Sequence, residues 1–242
     1  MSARGKGSEG PASPFAAPVE DMESNDGTRS LRLRAQSPRD KTLQKVMDKL
    51  RHQGILLMSD AKLPSVVSLV AGGPVRGSWW GHPRGDLIYF ISQELSEHPK
   101  VLETKLLSGK VTFVHRRLWP TLLAVCRGRE SWQLQGLSGE AVRLLGIVTE
   151  KGRVRLDAVP AIGQKPSREA ARELERRLLV RSTEVHTKTG AHSKVLEAWD
   201  HWTRRAGIPV ERKTPAVGKK ELETAVFDLN RRFGADAKLP WQ

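Results

Sequence analysis

Arg168, Arg172 and Arg176 recur every fourth residue, with Arg177 beside the last of them. On a helix that spacing stacks the guanidinium groups along one face. A face so charged can hold phosphates or reach guanine edges in a major groove. Ala171, Leu174 and Leu178 fall on a separate apolar stripe, so Arg168 to about Leu179 is predicted as an amphipathic helix, with Ser167 as its N-cap and Glu169 in its first turn. Glu169, Glu173 and Glu175 stand at spacings that allow pairing with the same arginines. If they do pair, the face is a solvated, salt-bridged one instead of a binding surface.

Three further groupings could do chemistry. In Arg76-Gly-Ser-Trp-Trp-Gly-His-Pro-Arg-Gly-Asp86, Trp79 or Trp80 could stack on a base while Arg76, His82 and Arg84 hold phosphate; structurally, the same tryptophans could simply anchor the loop to the core. Glu103 and Lys105 lie two apart on a predicted strand and so face the same way. With Asp86 upstream they resemble the acidic and basic groups of restriction-enzyme-type nucleases, which implies a divalent metal, although a cross-strand ion pair explains them equally. Arg116 and Arg117 crowd the start of an apolar helix, where their charge could face DNA. Glu184, His186 and His192 could meet across a hairpin, yet they match no zinc spacing, and no phosphate loop, nucleophile motif or dinucleotide fingerprint is present. Neither metal nor cofactor is therefore expected outside the nuclease reading.

The arginine segment sits in an ordered series of elements. Ser138 caps a helix with Val142, Leu145 and Val148 at helical spacing, ended by Lys151-Gly152; a short strand at Val154–Leu156, a short helix over 157–163 and the arginine helix follow. Strands at 180–187 and 191–196 then join through Lys188-Thr189-Gly190, a glycine-tipped hairpin. Helix, strand, helix, basic helix and hairpin is the winged-helix order, with Lys188, His192 and Lys194 on the wing beside the DNA backbone. Before this unit the pattern predicts helices at 40–53, 64–70, 86–97 and 119–127, a strand at 55–58 and a hairpin of 101–107 with 110–115. After it come helices at 194–206 and 219–233. The expected fold class is α+β, mainly helical with short β-hairpins. The expected division is a disordered tail at 1–40, an α+β domain at 41–135, a winged helix at 136–206 and a linker with a closing helix at 207–242.

Lys and Arg total 41 against 27 acidic residues, a net charge of +14. Residues 1–40 hold six of each sign, so the whole excess lies in 41–242, where it favours a polyanionic partner. The single Cys126, in an apolar run, reads as a buried thiol and excludes a disulfide within the chain. No apolar run reaches the length of a membrane span. A cytoplasmic protein is expected, nucleoid-associated if bacterial.

Gly77-Ser-Trp-Trp-Gly-His-Pro83 and Gly109-Lys-Val-Thr-Phe-Val-His-Arg-Arg-Leu-Trp-Pro120 resemble segments of bacterial proteins without an assigned activity. The carboxyl-terminal half resembles the winged-helix modules of bacterial DNA-repair glycosylases, without their catalytic motif, and that resemblance implies DNA binding only. The expected function is binding of double-stranded DNA in repair or transcription, with RNA also suited to the charge. A metal-dependent nuclease, a base-flipping glycosylase or a winged-helix module that docks proteins are the alternatives.

Overall fold

The amino-terminal half is a small antiparallel sheet covered on both faces. The computed structural model describes residues 37–159, 164–186, 192–209 and 212–242; most of the predicted tail lies outside this set. Helix α1 (Pro38–Gln53) starts two residues before the expected position 40, because Ser37 and Asp40 cap each other's backbone N–H groups. Strand β1 (Ile55–Leu57), helix α2 (Val66–Ala71), helix α3 (Gly85–Glu97), strands β2 (Val101–Leu107) and β3 (Lys110–His115) and helix α4 (Trp119–Cys126) follow. The sheet order is β1-β3-β2. Strand alternation divides its side chains: Leu56, Val101 and Phe113 pack with α1, α2 and α3, whereas Ile55, Leu57, Leu102 and Val114 face the core around α4. Covering both faces explains why β1 is buried at every residue.

Helix α5 (Ser131–Leu134) leads into α6 (Gly139–Lys151), which Ser138 caps as expected. Strand β4 (Arg153–Arg155), helix α7 (Gln164–Arg176), strands β5 (Arg181–His186) and β6 (His192–Glu197), helix α8 (Trp199–Arg205) and helix α9 (Pro215–Phe233) complete the order. The second sheet is antiparallel with order β4-β6-β5. Its core joins Leu144, Leu145 and Val148 of α6 to Ala170, Ala171 and Leu174 of α7. The described residues thus form an α+β fold with two three-stranded antiparallel sheets.

Several local expectations need correction. Helix α7 begins at Gln164, so Ser167 is a buried residue within it and not its N-cap. It stops at Arg176 instead of Leu179, and Leu178 takes a left-handed conformation with φ 53°. That costs a leucine on the order of 1 to 2 kcal/mol, and burial of its side chain together with a 2.8 Å hydrogen bond from Trp199 Nε1 to its carbonyl hold it there. Of the helix expected over 157–163, a 3-10 turn at Leu156–Ala158 is seen, and 160–163 lie outside the described residues. Residues 194–197 extend β6 instead of opening a helix, because they pair in register with β4 and β5.

Gln36–Gln242 forms one compact unit. Helix α9 lies on α4, where Gly218 meets the Thr121 carbonyl so closely that an added Cβ would sit 2.7 Å from it. Trp199, Trp202, Leu222 and Val226 share one core with Leu102, Val114 and Leu122. Cys126 is buried in that core, and burial pushes its thiol well above the usual range. Among the described residues no helix is long and apolar enough to cross a membrane.

Candidate nucleic-acid interface

Helix α7 presents two chemically opposite faces. Ser167, Ala170, Ala171, Leu174 and Glu175 are buried, whereas Arg168, Arg172 and Arg176 are exposed. No carboxylate among the described residues pairs with any of these three arginines. Glu173 turns instead to Ser138, accepting from its Oγ at 2.7 Å, and to Arg177 at 3.7 Å. Glu175 points inward. The salt-bridged alternative is thus not seen for the three exposed arginines, of which Arg172 and Arg176 border an open groove of about 480 Å³ lined also by Glu169, Glu173 and Arg177.

Four other residues expected to meet DNA, Arg177, Lys194, Arg84 and Arg117, are already engaged. Arg177 donates to the carbonyls of Trp132 at 3.1 Å and Gln135 at 2.6 Å, clamping the turn before α6. Lys194 is ion-paired with Glu175 and only a quarter exposed, so it braces β6 against α7. Arg84 donates to the Val70 carbonyl at 2.7 Å. Arg117 donates to the His52 carbonyl at 3.0 Å. Arg116 and Arg76 are exposed without a side-chain partner among the described residues. Lys188 and the hairpin tip at 187–191 lie outside the described residues, and His192 enters only through its backbone pairing with His186.

The nuclease constellation does not assemble. Glu103 accepts a 2.5 Å hydrogen bond from Ser96, close to the carboxyl end of α3, while Asp86 stands exposed in the first turn of that helix. Ser96 follows Asp86 by ten helical steps, a rise of about 15 Å. Lys105 is not a free amine either, since its Nζ lies 2.8 Å from Glu175, a close ionic contact without hydrogen-bond alignment. Among the described residues no group of three metal-ligating side chains converges.

Glu103 and Lys105 belong instead to a network that the sequence did not reveal. Burial pushes the Glu103 carboxyl upward, the Ser96 hydrogen bond opposes this, and nearby Glu184 adds to the rise. Burial also pushes Glu175 upward, but Lys105 and Lys194 more than offset it, leaving this carboxyl below its usual range. Alongside, Glu197 is 2 % exposed at its side chain and accepts from Arg205 at 2.9 and 3.0 Å, with Arg181 at 3.4 Å and His201 Nδ1 at 2.8 Å. The Arg181 guanidinium lies over the Trp202 ring, 5.2 Å from its centre. These partners come from β2, α7, β5, β6 and α8, so no spacing along the chain could announce them.

A different cationic cluster forms where the first sheet ends. Arg51, Lys100, Arg116 and Arg117 surround the buried His115, whose ring burial and those four charges hold below its usual pKa. Its position is fixed by the hydrogen bonds from His115 N to Gly54 O and from Arg116 N to Lys100 O. No protein-family model, curated protein or solved structure matches the chain.

Proposed function

We infer that this protein binds double-stranded DNA, with residues 138–197 acting as a winged-helix module whose helix α7 enters the major groove. The observation that carries this reading is the row of Arg168, Arg172 and Arg176, exposed at four-residue spacing with no carboxylate partner among the described residues. Three adjacent cations left unneutralised by their own fold suit a partner that supplies anions at regular intervals. The element order α6, β4, α7, β5, β6 and the antiparallel sheet β4-β6-β5 support the module. In this arrangement Glu175 and Arg177 belong to the scaffold: one ties α7 to both sheets and the other fastens its carboxyl end. The uncommitted cations Arg76 and Arg116 add to the general field that attracts a polyanion.

Titrating a labelled duplex against the full chain at several salt concentrations tests this. The logarithm of affinity should fall linearly with the logarithm of salt, and replacing all three arginines by alanine should reduce the slope by about 2.7, from roughly 0.9 per lost phosphate contact. Single replacements at Arg172 or Arg176 should cost about 1 to 3 kcal/mol if they meet base edges. Absence of duplex binding at low salt, or an unchanged slope in the triple variant, overturns the reading.

A further inference from the structure

Trp80 is the most exposed large apolar side chain among the described residues, 67 % accessible. One face of its indole is covered by Trp79, with ring centres 4.1 Å apart and planes inclined by 23°. Tyr89 from α3, itself 39 % exposed, stands 5.7 Å from it. Trp79 is partly buried and packs on the core shared by α1, α2 and α3, so the first indole anchors the second.

The loop that carries this pair is built to hold it. Ser78 Oγ accepts from Trp80 N at 3.4 Å, Trp79 O accepts from His82 N at 3.0 Å, and His82 O accepts from Gly85 N at 2.7 Å. A Cβ on Gly85 would lie 3.1 and 3.3 Å from the carbonyl oxygens of Trp80 and Trp79, which leaves glycine as the fitting residue. Arg84, bonded to Val70 O, ties the loop to α2. None of these contacts covers the outer face of Trp80.

We propose that Trp80, backed by Trp79 and flanked by Tyr89, is a stacking platform for unpaired bases of a single-stranded nucleic acid. A flat aromatic face stacks on any base because every base presents a π-face. Charge points to the same occupant: Arg76 is exposed without a partner among the described residues, Arg84 and His82 follow closely, and Asp86 is the one acid in 72–86. The platform extends the DNA-binding reading to a second site and does not depend on α7.

The test uses the full chain and two labelled probes, a thymidine oligomer of about 20 nucleotides and a duplex of similar length, followed by anisotropy and by tryptophan fluorescence. Wild type should bind the oligomer with quenching, and Trp80→Ala should weaken that binding about 5- to 150-fold, the range for losing one aromatic–base stack. Trp80→Phe should retain most of the affinity, and Trp80→Ala should leave duplex affinity within about twofold, since exposed truncation does not disturb α7. The triple arginine variant should show the reverse pattern, so failure of one site is distinguishable from failure of the other. Oligomer affinity unchanged in Trp80→Ala, or no oligomer binding by a folded wild type, overturns the proposal.

Discussion

Replacing Glu175 by leucine should unfasten α7 from both sheets. Its carboxylate is 3 % exposed and touches Lys105 on one side and Lys194 on the other, and those lysines keep only 27 % and 24 % of their side-chain surface in water. Removing the carboxylate strands two partly buried ammonium groups. Breaking a buried pair in this way costs about 3 to 5 kcal/mol, and the lysines' remaining access to water places the loss near the lower end, at roughly 3 kcal/mol. For a domain of this size that lowers Tm by about 6 to 12 °C. Because the folded carboxyl sits below its ordinary value of 4.5, its contribution is present above that pH and is lost as pH falls through the folded value. The gap between wild type and variant, read by thermal or urea denaturation, should therefore be wide at pH 7 and narrow below pH 4.5. Adding Lys105→Met and Lys194→Met should restore much of the loss, since an apolar replacement of the whole cluster removes the stranded charge. A drop in Tm below about 2 °C at neutral pH would refute the idea that this cluster holds α7.

Glu103→Gln should have the opposite sign. Burial raises the Glu103 carboxyl above 4.5, so its ionised form weighs against folding once pH passes that value, and the amide keeps an acceptor for Ser96. Melting curves should show a gain in Tm at pH 7 that fades as pH approaches 4.5; an equal gain at all pH values would refute the cause. Gly218→Ala should destabilise the chain even though alanine normally favours a helix interior by about 0.5 to 1 kcal/mol. Its Cβ would meet Thr121 O at 2.7 Å and Val125 Cγ2 at 3.0 Å, an overpacking that costs about 1 to 3 kcal/mol, and a raised Tm would show that α4 and α9 separate easily.

From the sequence alone, most elements could be placed because their signals are local. Gly54 and Gly72 close α1 and α2 in the left-handed conformation, Ser138 caps α6, and Ser108-Gly109 turns the β2–β3 hairpin. The stripe of Ala171 and Leu174 against Arg168, Arg172 and Arg176 likewise announced which side of α7 would be buried, since helical periodicity sorts side chains before any partner is known. The fate of individual charges was a different matter. Arg176 and Arg177 are adjacent in sequence, yet one is exposed and the other clamps the carbonyls of Trp132 and Gln135, because the turn near α5 approaches only one of them. Lys194 read as a wing cation and Lys105 as half of a nuclease motif until packing brought Glu175 between them. Nor does any pattern near Trp80 tell which indole is covered, since Trp79 packs on the core of α1, α2 and α3 whereas Trp80 meets only the rings of Trp79 and Tyr89. Periodicity assigns a side chain to a face, but which charges remain free to meet a ligand depends on pairings across distant elements, and only the tertiary structure decides those.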